Sequence, residues 1–510
     1  MNGKKIIQII GAVAVINLLS RLIGFFREVV VGYQFGTSYA ADSVVTAYTL
    51  PNFFYVTIGG AVATAFISIY SKLGHPSLQQ KYLERIFGWM ALGLVIFTSL
   101  LIIFSDGVIR LLFPGLSNQE FELTSSLFKI MAPSTLFLIL SMWFTGLLNV
   151  NKRFSWSAVS TLILNGSFLL IAVLLYPLLD AYAHAWGALI SSFLMVIFLM
   201  YLIRKEKFFN FKMSFSRSPD TWKTFKLAAP ILLGGATLQL YFLIHRFFGS
   251  FLDEGYIAAL NYTSKIVQLP QSVLMTAVTT VVYPLLARKV AASDTKGIVS
   301  IYEKGLRIMG IIILPVSVFI VIYAESIIQA VFQYGNFNED STAMAVPLLQ
   351  ILVIGMFFHA ANLYVTRFYY AYENSVYPVA ASLFCVLIVN VGINLLVVNT
   401  WGAEGLAFGT SVSAIINFML LTLGSRYILG SRDAYKKENR KNIMKLVLLL
   451  VIFSLVLAGW NRLVILANPY IDITSGLVLA AVILAVAMKG LRFEEWGTLE
   501  NKVKEKLSKK

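Results

Sequence analysis

Residues 86–106 read IFGWMALGLVIFTSLLIIFSD, an apolar run that carries no charge before Asp106. About 20 apolar residues in an α-helix cross a hydrocarbon layer of about 30 Å. Runs of this kind recur along the whole chain of 510 residues, in which 58% of the side chains are hydrophobic and 13% are charged. A soluble domain carries about 25% charged residues. The sequence therefore predicts a membrane protein and not a water-soluble domain.

Apolar windows along the chain predict an all-α polytopic membrane protein with about fourteen transmembrane helices. The predicted spans are 7–31, 39–71, 86–106, 123–149, 154–178, 183–203, 223–250, 256–287, 304–331, 341–371, 377–399, 402–429, 443–463 and 470–489. The first span follows two lysines and has no small-residue cleavage site, so we interpret it as a retained helix and not as a signal peptide.

The loops between the predicted spans alternate in charge. Lys and Arg crowd one set of loops and both termini, whereas the other set contains only Arg110. By the positive-inside rule the basic set is cytoplasmic, and termini on the same side require an even number of spans. The net charge of +16 is therefore a topology signal. It does not indicate nucleic acid as a partner.

A weak internal repeat relates two halves of the chain. Leu50-Pro51-Asn52 is echoed by Leu269-Pro270-Gln271, and Asn165 by Asn390. Repeated halves around a central site are a common transporter design. The predicted segments are an N-terminal six-helix lobe (1–203), a cytoplasmic linker (204–222), a C-terminal six-helix lobe (223–429), a cytoplasmic loop (430–442), an extra helix pair (443–489) and a basic cytoplasmic tail (490–510).

Pro51 and Pro270 lie inside the second and eighth predicted helices. A proline removes a backbone hydrogen bond and kinks a helix. In a membrane, the freed carbonyl must be satisfied by protein or by water in a cavity. Two repeat-related kinks thus suggest hinges beside a central cavity. The alternative is that prolines are simply frequent in membrane helices.

Ionisable side chains inside predicted spans are the candidate functional residues, because a charge at the bilayer centre costs about 2.5–3.5 kcal/mol. Arg21 lies in the middle of a span, and Lys265 lies one turn before Pro270, so neither reaches an interface easily. Asp42 opens the second helix, where it can hold an arginine in place. The set is Arg21, Arg27, Glu28, Asp42, Lys129, His245, Arg246, Lys265 and Arg367.

This set is mostly basic, and Arg21, Arg27, Arg246 and Lys265 form its core. Guanidinium groups bind phosphate oxygens through a bidentate fork, so the cations predict an anionic cargo such as a diphosphate headgroup. A drug or cation antiporter would require acidic cavity residues instead. A membrane glycosyltransferase would require a carboxylate cluster or a large outer loop, and a non-transporting scaffold is the remaining alternative.

Three polar residues form a candidate site for a monovalent cation. Asn390 and Asn394 share one helix face, and Thr410 follows on the next helix, so they can offer oxygen ligands. Hydrogen bonding between the helices is the alternative. The single cysteine, Cys385, excludes a disulfide framework, and the four histidines show no metal-site spacing.

The quoted motifs resemble those of a known family, the MurJ/MviN lipid II flippases of the multidrug/oligosaccharidyl-lipid/polysaccharide exporter superfamily. The resemblance covers the whole chain, including the last helix pair. The stretches that carry it are SRLIGFFRE (20–28), Phe35-Gly36, Asp42, Leu50-Pro51-Asn52, Lys265, Leu269-Pro270 and FQYGNF (332–337).

The resemblance implies a flippase, not an enzyme, in the bacterial plasma membrane. It would move an undecaprenyl-diphosphate-linked saccharide, with lipid II favoured, to the outer leaflet by alternating access. Residues matching Arg21, Arg27, Lys265 and Asp42 would handle the cargo. Coupling to Na⁺, to H⁺ or to the membrane potential is implied, with no other cofactor. The implied partners are membrane lipids and the cell-wall synthesis machinery.

The chain departs from the family pattern at three places. Phe53-Phe54-Tyr55 stands where the family has arginines, and Thr49 stands where it often has a cation. Asn394 occupies a position where an acidic sodium ligand is expected. The first two departures leave open a different lipid-linked cargo, such as a teichuronic-acid or exopolysaccharide precursor.

Overall fold

The apolar runs form long helices throughout the computed structural model, which describes residues 3–278, 282–429, 438–464 and 466–497. No strand occurs among these residues. The helices are Gly3–Phe35, Tyr39–Tyr70, Pro76–Ile103, Ser105–Leu112, Asn118–Val150, Phe154–Leu179, Tyr182–Lys205, Pro219–Gly249, Tyr256–Ala277, Tyr283–Ala291, Thr295–Ile322, Ala324–Phe332, Glu339–Ala371, Val376–Leu429, Glu438–Leu463 and Pro469–Gly490. The predicted all-α class is confirmed.

Each predicted span overlaps a long helix, although the match is not one to one. In the described part of the chain, 10 helices are long and apolar enough to cross a membrane, and the bent helix Pro219–Gly249 raises this to 11. Val376–Leu429 is counted as one helix in this total. It contains two predicted spans, which are separated by a break in the helix where Gly402 has a φ of 52°. Gly3–Phe35 and Tyr256–Ala277 occupy further predicted spans. A fold of about fourteen membrane helices is therefore supported.

Local chemistry explains several helix ends. Ser117 and Glu120 form a reciprocal capping box at the start of Asn118–Val150, which satisfies two backbone N–H groups that lack partners within the helix. Asp294 accepts the N–H of Gly297 at the start of Thr295–Ile322. Proline occupies a first-turn position in Pro76–Ile103, Pro219–Gly249 and Pro469–Gly490, where its missing N–H costs nothing.

Contacts between residues divide the chain into two units. The first contains 1–262 together with Gly335–Phe337, and the second contains 263–334 and 338–510. The division falls within the helix Tyr256–Ala277. The predicted lobe boundaries, with a linker at 204–222, remain predictions. The basic tail from 498 onward and most of the predicted loop 430–442 lie outside the described residues.

The two units share a pattern that the sequence windows did not reveal. A short helix follows the third long helix of the first unit, at Ser105–Leu112, and another follows Thr295–Ile322 in the second unit, at Ala324–Phe332. The prediction placed the first in a loop and merged the second with the preceding span. Both helices are too short for a membrane-length window. Their equivalent positions support the internal repeat.

The region around Pro51 deviates from regular α-helical geometry. Pro51 lies inside the α-helical segment that ends at Phe54, and a π-helical segment, Tyr55–Gly59, begins at the next residue. A π-segment is a common cause of a helix bend. The hydroxyl of Thr57 donates to the carbonyl of Phe53 at 2.7 Å, so a side chain satisfies backbone there. Pro270 lies inside Tyr256–Ala277, and the following residues 279–281 are outside the described part. The hinge role of both prolines remains a prediction.

The connection between Tyr182–Lys205 and Pro219–Gly249 packs against the first unit. Phe209 is 0% exposed, with its ring 5.6 Å from Phe87 and 6.0 Å from Trp143. The N–H of Ser214 donates to the carbonyl of Glu84 at 3.0 Å. This connecting segment is therefore packed against the helices of the first unit.

In the second unit, the last helix pair packs on Thr295–Ile322. Phe319 and Tyr323 form one buried hydrophobic cluster with Phe453 and Leu457 of Glu438–Leu463. Arg307 forms ion pairs with Glu494 at 2.8 Å and Glu495 at 2.5 Å, both beyond the last helix. The extra pair is thus bound to the unit along its length.

Phe209→Ala tests the packing of this connecting segment. The substitution removes a fully buried ring, so we expect the free energy of unfolding to fall by about 3–5 kcal/mol. Thermal unfolding of the purified protein in detergent measures the change. The matched control is Phe215→Ala, because Phe215 belongs to the same segment but is 51% exposed. Equal effects of the two substitutions would contradict the packing role of Phe209.

Candidate functional site

A chain of buried and partly buried polar side chains connects three helix segments of the first unit. Arg27 Nη2 lies 2.7 Å from Glu28 Oε1 on the first helix. Asn261 Nδ2, from Tyr256–Ala277, donates to the other carboxylate oxygen, Glu28 Oε2, at 2.7 Å. Arg246 Nη2, from Pro219–Gly249, donates to Asn261 Oδ1 at 2.7 Å. Two guanidinium groups therefore depend on one carboxylate: Arg27 contacts Glu28 directly, and Arg246 is linked to it through the Asn261 amide.

Arg27 is further held by aromatic faces. Its guanidinium carbon lies 4.9 Å from the centre of the Tyr48 ring and 4.6 Å from that of Phe168. Cations are attracted to ring faces at such distances, most strongly where water is excluded. Arg246 instead donates through Nη1 to the carbonyl of Phe242 at 3.1 Å. Both cations are therefore fixed by several contacts.

Asp42 holds the start of the helix Tyr256–Ala277. Its carboxylate accepts the backbone N–H groups of Gly255 and Ala258, each at 2.7 Å. The first N–H groups of a helix have no partner within the helix, and a carboxylate there also complements the helix dipole. In return, Glu254 accepts the N–H of Tyr39 at 2.7 Å, at the start of the second helix. Each of these two helices is thus capped by an acid from the segment that carries the other.

Two glycines permit this close approach. Gly255 has a φ of 91°, and a β-carbon there would collide with the carbonyl oxygen of Thr37. Gly36 has a φ of 59°, and a β-carbon there would collide with the carbonyl oxygen of Asn336. Positive φ is accessible to glycine without a steric penalty. The hydroxyl of Tyr262 donates to the Gly36 carbonyl at 2.9 Å, which closes the contact.

The predicted cargo residues occupy different places. Arg27, Arg246 and Asp42 lie in the first unit, and Asn261, which binds Arg246, is one turn beyond Ala258, which binds Asp42. Arg21 lies on the same helix as Arg27, and its side chain is exposed. Lys265 belongs to the second unit and is partly buried. Their role in cargo handling remains a prediction.

Sequence reasoning missed Asn261 and Glu254. An asparagine inside an apolar helix was the available signal for the first, since an amide there needs a partner. Glu254 gave no signal, because an acid in a predicted loop is ordinary. Both residues acquire their roles only through tertiary contacts between helices.

The candidate cation residues lie together in the second unit. Asn394 Nδ2 donates to Asn390 Oδ1, and Asn390 Nδ2 donates to Thr410 Oγ1, each at 3.3 Å. All three side chains are buried. The amide and hydroxyl groups therefore bridge helix segments on either side of the break at Gly402, which is the alternative that the sequence left open.

The donor set fits a sodium ion poorly. Hard cations favour several oxygen ligands, usually with a carboxylate among them. Here two of the three side-chain oxygens already accept hydrogen bonds, and a single oxygen, Asn394 Oδ1, has no donor among the described residues. The described residues contain no cluster of three His, Cys, Asp or Glu side chains suited to a metal. The cation site stays a prediction, and the geometry supports a neutral hydrogen-bonded bridge.

Long apolar helices in repeated halves, together with buried cations inside the first of two units, define a polytopic membrane transporter. The sequence profile described as "Lipid II flippase MurJ" matches residues 31–475. The chain therefore belongs to the MurJ lipid II flippase family.

Relatives agree with this assignment. A probable lipid II flippase MurJ of Buchnera aphidicola subsp. Acyrthosiphon pisum is 26% identical over 419 residues, which cover 81% of this chain and 82% of the relative. A lipid II flippase MurJ of Burkholderia cenocepacia is 25% identical over 456 residues, which cover 87% of each chain. Together with its long apolar helices, this family membership makes the chain a multi-pass membrane protein.

Solved structures show the same fold. A lipid II flippase MurJ in an inward closed conformation superposes with a TM-score of 0.81 at 23% identity, covering 94% of this chain and 99% of the other. An inward-facing multidrug resistance MATE family transporter of the MOP superfamily gives 0.69 at 14% identity, covering 82% and 98%. At these identities the likeness concerns the fold alone.

Asp42→Ala tests the helix cap. The substitution leaves the N–H groups of Gly255 and Ala258 buried without their acceptor, so we expect a loss of about 2–5 kcal/mol in the free energy of unfolding. Thermal unfolding in detergent measures it. Asp253→Ala serves as the control, because Asp253 is an exposed acid in the loop that contains Gly255, and it should change stability little. An unchanged midpoint for Asp42→Ala would refute the cap.

Exchange of K⁺ for Na⁺ tests the candidate cation site. A ligand that binds only the native state raises stability with its concentration. Because the amide and hydroxyl groups already bond one another, we expect the thermal midpoint to be the same in both salts at equal ionic strength. A midpoint that rises with Na⁺, and stops rising in Asn394→Ala, would instead establish a sodium site.

Proposed function

We propose that this protein is a flippase for an undecaprenyl-diphosphate-linked saccharide, with lipid II as the leading cargo. The observation that carries the proposal is the buried chain in which Arg27 and Arg246 share the single carboxylate of Glu28. Burying an unbalanced cation is costly unless an anion accompanies it. A diphosphate supplies that charge, and its oxygens match guanidinium geometry.

The cargo would enter from the cytoplasmic side and leave on the outer side by alternating access. Its headgroup would meet Arg21, Arg27 and Lys265, while the polyprenyl tail stays in lipid. The reciprocal caps of Asp42 and Glu254 would close one end of the pathway, and they must separate when that end opens. Family membership and the names of the curated relatives support this assignment.

The proposed location is the bacterial plasma membrane, with both termini in the cytoplasm. The crowding of Lys and Arg in alternate loops supports this orientation. A membrane potential that is negative inside favours outward movement of a negative headgroup by about 2.3 kcal/mol per charge per 100 mV. We propose the potential as the driving force, and membrane lipids and the cell-wall synthesis machinery as partners.

A second cargo is favoured by the aromatic residues after Pro51. Phe53 and Phe54 contact each other at 5.7 Å between ring centres, and Phe54 contacts Phe97 at 4.9 Å. The family resemblance leads us to expect cations in this segment. A flippase with fewer cations there suits a different lipid-linked saccharide, such as a teichuronic-acid or exopolysaccharide precursor. A drug or cation antiporter is disfavoured because the buried set is mostly basic.

Growth rescue tests the lipid II assignment. In cells depleted of their own lipid II flippase, we expect the wild-type protein to restore growth. Arg21→Ala, Arg27→Ala and Lys265→Ala, at matched membrane abundance, should fail because each removes a cation that the diphosphate requires. Arg110→Ala, on the short helix Ser105–Leu112, is the matched control and should rescue.

Two results would contradict the proposal in different ways. Failure of the well-expressed wild type would exclude lipid II as the cargo and favour the other lipid-linked saccharides. Rescue by all three Ala variants would show that Arg21, Arg27 and Lys265 do not handle the cargo.

A further inference from the structure

Asn261 uses both ends of its amide inside the buried chain. Its Nδ2 donates to Glu28 Oε2, and its Oδ1 accepts from Arg246 Nη2, each at 2.7 Å. A carboxylate only accepts and a guanidinium only donates, so the orientation of the amide is fixed by its two neighbours. Asn261 is also 4% exposed, so water does not readily replace either bond.

We propose that Asn261 is a positioning residue for the diphosphate of the cargo, an inference that rests on the proposed function. It acts through Arg246. The amide holds that guanidinium next to the Arg27–Glu28 pair, so that the cargo meets two fixed cations and not one.

The neutrality of Asn261 is the physical basis of this role. The carboxylate of Asp42, which also attracts Arg246, is already engaged by the N–H groups of Gly255 and Ala258. Within the chain of contacts itself, Arg27 and Arg246 contribute two positive charges and Glu28 contributes one negative charge, so one positive charge remains. An aspartate at 261 would cancel it and would also place a second carboxylate against Glu28, which is repulsive. An amide satisfies both neighbours without changing the charge. The excess cation is therefore preserved for an anionic ligand.

A second observation indicates where that ligand is needed. Arg246 Nε is buried and, within the described part of the chain, has no hydrogen-bond acceptor, whereas Nη1 and Nη2 both have one. A buried guanidinium donor without an acceptor is costly, and such groups in native structures call for an explanation. An oxygen of a diphosphate, reached as the transporter changes state, supplies the missing acceptor.

Binding of undecaprenyl diphosphate to the full-length protein in detergent tests the role. The uncharged lipid undecaprenol is the reference ligand, because it shares the tail but lacks the phosphates. We expect Asn261→Ala to weaken diphosphate binding about tenfold, the size of one hydrogen bond to a charged group, and to leave undecaprenol binding unchanged. Asn261→Asp, which is nearly isosteric, should weaken diphosphate binding at least as much because it removes the excess charge.

A double-mutant cycle separates positioning from a general structural role. If Asn261 acts through Arg246, Asn261→Ala should cause less than about a twofold further loss when Arg246 is already Ala. A merely structural effect would instead repeat its full loss in that background. The control Asn362→Ala removes another buried asparagine, which donates to the Ala414 carbonyl at 3.0 Å in the second unit, and should keep wild-type affinity.

The outcomes distinguish this inference from the proposed function. Wild-type protein that binds diphosphate no better than undecaprenol would overturn the proposed function itself. Wild-type preference for diphosphate that both Asn261 variants retain would overturn only the role of Asn261, and so would a full further loss in the Arg246→Ala background. Asn261→Asp keeps the test decisive if Asn261→Ala does not fold.

Discussion

The carboxylate of Glu28 is the contact on which the buried site depends. In an apolar medium a polar group must find its partner within the chain or its ligand, since no water is available to replace it. Glu28 meets this requirement for Arg27 directly and for Arg246 through Asn261. The first helix is thereby held to two consecutive helices far along the chain, Pro219–Gly249 and Tyr256–Ala277. None of the three polar links can be removed without leaving a buried group unsatisfied.

The site combines tight fixation with incomplete charge balance. Arg27 lies between aromatic faces and Arg246 against its own helix carbonyl, so neither guanidinium is free to reorient. Fixed donors cost little to organise when an anion arrives. Within this chain of contacts one positive charge has no carboxylate of its own, which is a physical reason for the proposed anionic cargo to bind there.

Sequence alone identified the fold class and the buried cations. Membrane-length apolar runs have few alternatives, and a charge such as Arg27 within one of them is conspicuous because it is costly. Asn261 was missed because burying an amide costs far less free energy than burying a charge, and because its role depends on a tertiary contact. The short helices Ser105–Leu112 and Ala324–Phe332 escaped because they are shorter than a span. The grouping of Asn390 with Asn394 followed from helical spacing, but their bond to each other did not.

The paired caps have a consequence for how one end of the molecule moves. Asp42 caps the helix that begins after Glu254, while Glu254 caps the helix that contains Asp42. Separating the two segments breaks both caps at once, because each acid moves with the backbone that the other one serves. Two helix starts then lose their acceptors together, so a partly separated arrangement has no compensation. Separation at this end is therefore expected to be cooperative, because both helix caps are lost in the same step.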